Sequence, residues 1–404
     1  MKEWKQYKLI DILDKVIDYR GKTPQKTESG IPLITAKIIK DGRILPPNEF
    51  IAESNYEKWM VRGIPQEGDV VLTVEAPLGE VAQLDNRKIA LAQRVVTLRG
   101  KKGVLDNTYL KYFLMSNVGQ ARLKARETGT TVTGIKQSEL REVMIDCPDY
   151  TTQIKIASIL NAIDTKIELN RQINDNLEQQ LQSLYREWFI ENPKADWTTV
   201  NLSEIASFTS GYSYKGNELV ESSDTAMATI KNFERNGGFK IDGYKPIVPS
   251  AKLKIDQRAQ LFDILVAHTD LTQNAEVIGN AEILLSKDIY KDLIFSMDLV
   301  KVNAKDSFPF QFLLALLLKN PRFKSHCIGY VNGTTVLHMN KRALPDYETI
   351  IPNSEDAQSL NATAKAIFCQ MSENLTEISN LTKLRDTLLP KLMSGELKIN
   401  EIDC

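Results

Sequence analysis

Apolar residues recur at a 4-3-4-3 spacing from residue 156 to residue 188, in a stretch without Gly or Pro. Such spacing predicts one long amphipathic helix, and a stripe this narrow indicates that the helix packs against a second helix. Two asparagines interrupt the apolar stripe at its middle. The stripe consists of Ile156, Leu160, Ile163, Ile167, Asn170, Asn174, Leu177, Leu181, Leu184 and Trp188.

The same stripe returns 204 residues later in the chain. It consists there of Leu360, Ala364, Ile367, Met371, Asn374, Ile378, Leu381, Arg385, Leu388 and Leu392. We expect the two helices to pair antiparallel about their centres, as a coiled coil of about 35 residues, or roughly 50 Å. That pairing would place Asn170 opposite Asn374, where a polar pair fixes the register. In the alternative, both amides lie in water at the edge of the helix pair.

The remainder of the chain is duplicated as well. A W-x4-L-x-acid-I opening, a short buried strand, a core helix, a Gly-Thr-Thr turn and a closing proline occur twice in the same order. Repeats of this kind indicate that one structural unit is used twice. The paired segments are 4–12 and 197–205, loosely 20–24 and 210–215, then 69–72 and 263–266, 109–117 and 312–320, 129–132 and 333–336, and Pro148 and Pro352.

These observations predict an α+β protein with pseudo-two-fold symmetry. Each globular domain contains short Val/Ile/Leu runs between Gly, Asp and Pro turns, which is typical of a small twisted sheet with helices. Pro193 is expected to break the first long helix and Pro390 the second. The predicted segments are a first domain at 1–150, a central helix at 151–192, a second domain at 195–352, and a C-terminal helix and tail at 354–404.

Composition changes this picture little. The net charge of −1 argues against binding nucleic acid by charge alone, although residues 1–150 carry 24 Lys and Arg against 20 Asp and Glu. The four cysteines are scattered without metal spacing, and no signal peptide or membrane-length apolar run is present, so we expect a cytoplasmic protein with reduced thiols.

Catalytic motifs are absent from the sequence. There is no P-loop, no GxGxxG and no HExxH, and His268, His326 and His338 have no partners at metal-ligand spacing. The chain is therefore interpreted as a binding protein without metal, not as an enzyme. A coiled-coil scaffold that binds proteins through two globular domains, and an enzyme with an unrecognised site, are the alternatives.

Six stretches resemble type I restriction–modification specificity subunits: 384–397 (LRDTLLPKLMSGEL), 163–170 with 184–189, 76–81 (APLGEV), and the two Gly-Thr-Thr turns. The resemblance spans the whole chain, duplication included, although the second domain lacks the Ala-Pro-x-Gly turn. It implies two target-recognition domains, each reading half of a split DNA sequence, and a helical spacer that docks two modification (methyltransferase) subunits. S-adenosylmethionine, ATP and Mg would belong to those subunits and to motor subunits, with no cofactor in this chain.

Residues that contact DNA would present hydrogen-bonding groups to base edges and basic groups to phosphates. The Gly-Thr-Thr turns are shared by both domains, so we expect them to position the DNA backbone, or to be structural turns, while unshared residues specify sequence. The candidates in the first domain are Arg20, Lys22, Thr23, Lys37, Arg43, Thr73, Glu75, Arg94, Thr130, Thr131 and Lys136. Those in the second are Ser210, Tyr212, Tyr214, Lys215, Lys231, Asn232, Arg235, His268, Thr269, Asn274, Thr334, Thr335 and Lys341.

Overall fold

The computed structural model describes residues 4–129, 133–334 and 336–397. The chain divides into two compact units: unit 1 contains residues 1–166 and 381–404, and unit 2 contains residues 167–380. Two long helices, α6 (Tyr150–Arg186) and α10 (Ser354–Ser394), each contribute to both units. The predicted α+β class is confirmed.

Unit 1 combines twelve strands with short helices in its described part. The strands are β1 (Lys5–Lys8), β2 (Leu13–Asp18), β3 (Lys26–Thr27), β4 (Ile31–Ile34), β5 (Ile39–Lys40), β6 (Arg43–Ile44), β7 (Phe50–Ile51), β8 (Val70–Val74), β9 (Leu78–Gln83), β10 (Ala90–Leu91), β11 (Val95–Gly100) and β12 (Met144–Cys147). The helices are α1 (Leu9–Ile12), α2 (Tyr56–Trp59), α3 (Asn107–Met115), α4 (Asn117–Lys124) and α5 (Gln137–Arg141).

The central sheet of unit 1 has the order β2-β11-β8-β9, and a second sheet has the order β10-β4-β7-β3. Alternate residues of a strand face opposite sides. Val70 and Leu72 accordingly pack with Tyr109 of α3 on one side, whereas Val71 packs with Leu33 of the second sheet on the other. Because both faces are covered, β8 is apolar throughout except for Thr73.

Unit 2 repeats this plan. Its strands are β13 (Thr198–Asn201), β14 (Ala206–Ser210), β15 (Thr225–Ala228), β16 (Lys245–Pro246), β17 (Arg258–Ala259), β18 (Ile264–Ala267), β19 (Thr269–Asp270), β20 (Ala281–Ile283), β21 (Asp292–Phe295), β22 (Leu299–Ala304), β23 (Val331–Asn332), β24 (Leu337–Met339) and β25 (Glu348–Ile351). Its short helices are α7 (Leu202–Ile205), α8 (Gln311–Leu318) and α9 (Pro321–Ile328).

The sheets of the two units correspond strand by strand. The order β14-β22-β18-β20 matches β2-β11-β8-β9, and β13 pairs with β25 as β1 pairs with β12. The strand pairings also correct the sequence alignment at the ends of β2 and β14. Asp18 lies opposite Val96 and Ser210 lies opposite Val300, so Ser210 is equivalent to Asp18 rather than to Arg20.

The second long helix does not end at Pro390, contrary to the prediction. It runs on to Ser394 with Pro390 inside it. Proline removes one helical N–H and crowds the preceding turn, which destabilises a helix interior. Here the proline is exposed while Leu389, Leu392 and Met393 are buried in the unit 1 core, and that packing carries the helix onward. The first long helix ends before Pro193, with a π-helical turn at Glu187–Glu191.

Within unit 2 the helices run antiparallel, as predicted, but in a different register. Asn374 donates to Asn174 Oδ1 at 2.8 Å, and Asn170 donates to Glu377 Oε2 at 2.7 Å. The prediction that Asn170 faces Asn374 is therefore wrong by about one helical turn. The alternative of amides in water is also wrong, since Asn170 and Asn374 are 1% and 5% exposed. The register follows apolar packing, in which Leu181 shares a core with α10, rather than the midpoints of the helices.

Candidate nucleic-acid interface

One edge of the central sheet in unit 1 collects most of the predicted contacts. The ends of β2 and β8 lie beside the starts of β9 and β11 there, since Val96 is opposite Asp18 and Val74 is opposite Leu78. We call this edge rim 1 and define it as residues 19–23, 74–77, 92–94 and 133–136. Six predicted residues lie in it: Arg20, Lys22, Thr23, Glu75, Arg94 and Lys136.

Arg20 is held firmly within rim 1. Its guanidinium forms an ion pair with Asp18 at 2.5 Å and donates to the carbonyl of Ile135 at 2.6 Å. Glu75, directly after β8, pairs with Gly134 through a β-bridge. The segment 133–136 is therefore bound to the end of β2 through Arg20 and to the end of β8 through Glu75. Arg20 therefore fixes the shape of the rim.

Among the predicted residues of rim 1, the exposed side chains are Lys22, Thr23, Arg94 and Lys136. Thr23 Oγ1 lies 3.3 Å from Gln93 Oε1, to which it donates. Three cations and a hydroxyl therefore face solvent along one edge. Such a surface suits phosphate contacts and, through arginine, the acceptors of guanine.

Two further candidates in unit 1 lie outside rim 1. Lys37 is exposed in the 3-10 turn Ala36–Ile38 that follows β4, and its Nζ lies 3.9 Å from Glu49. Arg43 is half-buried in β6, a hairpin strand that lies beside β9.

Thr73 is a correction, because its side chain is buried in β8 and accepts a hydrogen bond from the Glu80 amide at 2.9 Å. It cannot contact a base edge directly and instead joins two strands. Thr130, Thr131 and Thr335 lie outside the described residues.

Unit 2 presents an equivalent edge, rim 2, defined as residues 210–215, 268, 296–298 and 338–341. The ends of β14 and β18 meet the start of β22 there, with Ala267 opposite Leu299. The rim contains five predicted residues that are exposed or half-buried: Ser210, Tyr214, Lys215, His268 and Lys341. Asn274 and Thr334 are exposed on a neighbouring pair of loops, where Gln273 donates to the Thr334 carbonyl at 2.7 Å.

His268 is the titratable group at the centre of rim 2. Burial, and then the nearby His338 and Lys341, lower the pKa of His268 below its usual value. The imidazole is therefore neutral at pH 7 and offers one donor and one acceptor. A neutral imidazole can recognise a base edge without adding a positive charge.

Three candidates in unit 2 are buried and are corrected here. Tyr212 donates its hydroxyl to Glu218, so its ring cannot stack on a base as predicted. Asn232 donates to the Lys240 carbonyl at 2.7 Å, and Thr269 donates to Asp298 at 3.1 Å. All three hold loops in place, because buried polar groups are satisfied internally.

Lys231 and Arg235 occupy the loop after β15. Lys231 is exposed in the 3-10 turn Ile230–Asn232, and Lys37 has the same place after the equivalent strand β4. A threonine precedes each turn. Arg235 forms an ion pair with Glu276 at 3.0 Å and lines a cavity instead of the rim.

That cavity lies within unit 2 and has a volume of about 860 Å³. Residues of α6, the loop 234–241 and the start of α9 line it, and at its wall Lys319 binds Glu178 at 2.9 Å and Glu282 at 2.6 Å. Since these charges satisfy one another, the cavity shows no polar group in need of a ligand among the described residues.

The sequence patterns did not identify three residues of the rims. Gln93 belongs to rim 1, and Met297 and Asp298 belong to rim 2. The offset of 204 residues that relates the long helices also relates β11 to β22, as the ladder partners of both strands show. Extending that offset to the residues before each strand would have found them.

The described residues contain neither a metal-binding group nor a membrane-spanning helix. No three side chains of His, Cys, Asp or Glu are grouped so that they could hold a metal ion. Among the helices of the described ranges, none has the length and apolarity needed to cross a membrane.

Named proteins are similar to this chain along nearly its whole length. The family described as "Type I restriction modification DNA specificity domain" matches residues 1–179. The type I restriction enzyme MjaIX specificity subunit of Methanocaldococcus jannaschii is 26% identical, over 99% of this chain and 95% of its own length. The HindI specificity subunit of Haemophilus influenzae is 24% identical, over 98% of this chain and 100% of its own.

The crystal structure of a type I restriction–modification system S subunit from M. genitalium has the same fold. It covers 96% of both chains with a TM-score of 0.59 at 18% identity. The relatives are named as specificity subunits, in agreement with the prediction that this chain is not an enzyme. Over nearly its full length this chain is therefore similar to type I restriction–modification specificity subunits, and its residues 1–179 match the family's DNA specificity domain.

Proposed function

We propose that this chain selects the DNA target of a type I restriction–modification complex, and that each unit reads one half of a bipartite sequence with its rim. The proposal rests on the correspondence between the two rims. The strand ends correspond residue by residue, while the exposed side chains differ. Two readers of different half-sites need this combination of shared backbone and unshared side chains.

The charges of the rims suit this role. Rim 1 exposes Lys22, Arg94 and Lys136, and rim 2 exposes Lys215 and Lys341. The four lysines supply phosphate contacts locally, although the whole chain has a net charge of −1. Partner subunits would add further contacts to the DNA backbone.

We further propose that the long helices dock two modification subunits, and that motor subunits join those. Both helices keep large apolar side chains in solvent, with Leu169 on α6 and Leu384 on α10 each nearly half exposed. The proposal rests on the similarity to specificity subunits, and these leucines are candidate contacts with the partners. The methylation chemistry, with its S-adenosylmethionine, and ATP-driven steps would belong to the partners.

The test is co-expression with a partner modification subunit, followed by mapping of methyladenine across the host genome. A bipartite motif with a fixed gap, absent when this chain is omitted, is the expected result. Methylation that is unchanged without this chain would contradict the proposal and favour the scaffold alternative, provided that the modification subunit is folded and active.

A further inference from the structure

The segment that enters the central strand of unit 1 is fixed at both ends. We call residues 92–94 connection 1. The amide of Ala92 donates to the last carbonyl of β4 at 2.9 Å, and the carbonyl of Arg94 accepts from the last amide of β8 at 3.0 Å. Between these bonds, Gln93 is half-buried and accepts from Thr23, while Arg94 is exposed.

The equivalent segment of unit 2, residues 296–298 or connection 2, is fixed by the same two bonds. The amide of Ser296 donates to the last carbonyl of β15 at 2.9 Å, and the carbonyl of Asp298 accepts from the amide of His268 at 2.8 Å. The chain at Gly211 also packs closely against it, since a Cβ there would lie 2.0 Å from the Ser296 carbonyl oxygen. Both connections are therefore rigid supports.

The last residues of the two connections, which occupy equivalent positions, carry opposite charges. Connection 1 presents Gln93 and Arg94, whereas connection 2 presents Met297 and Asp298. The guanidinium of Arg94 has no ion-pair partner among the residues that the structure describes. The carboxylate of Asp298 accepts from the hydroxyls of Thr269 and Ser296 at 3.1 and 3.2 Å. A carboxylate has about four acceptor sites, so capacity for another donor remains.

We infer that connections 1 and 2 are the base-reading elements of the two rims, an inference that rests on the proposed function. Arginine donors match the two acceptors of guanine in the major groove, and a carboxylate matches the amino group of cytosine. Arg94 therefore selects guanine in one half-site, and Asp298 selects a base with an exposed amino group in the other. Rigid support by backbone bonds gives such contacts the precision that recognition needs.

The experiment uses the complex with its modification subunit and maps methyladenine for Arg94→Ala. Preference for guanine at one position of one half-site should fall by roughly 5- to 150-fold, the loss expected for one bidentate arginine–guanine pair. The other half of the motif should stay unchanged, which makes it an internal control. Arg87→Ala is a matched control, because Arg87 is an exposed arginine paired with Asp85 outside the rim.

Asp298→Asn should change the other half-site and leave the first unaltered. Arg94→Lys keeps the charge, so it should retain methylation and lose guanine preference even if the alanine variant folds poorly. An unchanged motif in Arg94→Ala and Asp298→Asn would overturn the inference. A loss spread evenly over all sequences, with the chain folded and in the complex, would also overturn it, since that marks a phosphate contact. A wild-type motif that does not depend on this chain would instead defeat the proposed function itself.

Discussion

Each unit places one lysine, largely withdrawn from solvent, where its core helix meets the first long helix, yet the two joints are built from opposite charges. In unit 1, Lys111 on α3 lies 3.2 Å from Asp164 on α6, and Arg385 of α10 binds the same carboxylate at 3.1 Å. Two cations thus share one anion. Helices α3 and α8 correspond, because each packs on the equivalent central sheet of its unit.

In unit 2 the lysine follows α8, and two anions share one cation. Lys319 binds Glu178 of α6 at 2.9 Å and Glu282 at 2.6 Å. Burial lowers the pKa of Lys111 more than Asp164 raises it. Burial also acts to lower the pKa of Lys319, but the two carboxylates outweigh it and raise that pKa.

The comparison teaches that the two joints are not copies of each other, because the offset of 204 residues pairs Asp164 with Phe368 and Lys319 with Met115. A buried lysine needs at least one carboxylate, but the remaining partner is free to be a cation or an anion. At the rims, by contrast, Arg94 and Asp298 lie on equivalent backbone. There, position is a property of the shared fold, and charge is a property of each copy.

The largest effect is expected from Lys319→Met. Without the ammonium, Glu178 and Glu282 are left unpaired in a buried joint, which should lower the free energy of unfolding by about 3–5 kcal/mol. Denaturant titration of the full chain measures it. Lys291→Met is the control, because its pair with Asp224 is 77% and 74% exposed and should leave the unfolding midpoint unchanged. Equal midpoints for the two variants would show that the joint does not stabilise unit 2.

Asp164→Asn should have the next largest effect. The carboxylate accepts from Lys111, from Arg385 and from the Tyr112 hydroxyl at 2.7 Å, and an amide cannot balance the two cations. We expect a loss of about 2–3 kcal/mol, less than for Lys319→Met because the amide oxygen of the asparagine can still accept a hydrogen bond in the joint. Asp386→Asn is the matched control, since that carboxylate pairs with Arg385 at the surface. If both substitutions lower the free energy of unfolding equally, the buried contacts of Asp164 do not stabilise unit 1.

The contributions of the two lysines to the free energy of unfolding should change with pH in opposite directions. The Lys111 pKa is lowered in the folded state, so as pH rises towards 10.5 the unfolded chain holds the proton that the native state has released, and this lysine favours folding increasingly. The Lys319 pKa is raised, so above 10.5 the native state keeps a proton that the unfolded chain loses, and stability falls. The difference in unfolding free energy between wild type and Lys111→Met or Lys319→Met, followed across this range, measures each slope. Slopes of the same sign would contradict the comparison.

Patterns in the sequence predict the duplicated framework well, because heptads, buried strands and repeated turns act locally. They predict exposure poorly. Thr73 looks like a polar strand end, but both faces of its strand are covered. Tyr212 is buried where it bonds Ser250, a residue far away in the sequence, and Asn232 is buried where the chain folds back and it donates to the Lys240 carbonyl. The helix register escaped prediction for the same reason, since distant core packing determines it.

The smallest effect concerns Lys37 and Lys231, the lysines that both units share. Each is exposed in the turn that follows the strand beside its connection, so each is placed for a phosphate and not for base selection. We expect Lys37→Ala and Lys231→Ala each to weaken binding of the complex to its target by only a few-fold. Each should also reduce the slope of log affinity against log salt by about 0.9. Affinities measured over a range of salt concentrations provide both numbers.

Lys102→Ala is the control for these variants, because Lys102 is an exposed lysine beyond the far end of β11 and should alter neither number. Glu49 lies 3.9 Å from Lys37 but is already paired with Lys26 at 2.7 Å, so Lys37 keeps its charge available for DNA. The two variants should therefore have equal effects and leave the sequence motif intact. A changed base preference in either variant, or an effect confined to one unit, would show that the shared turns are not equivalent phosphate contacts, and that charge and position are less separable than the two rims indicate.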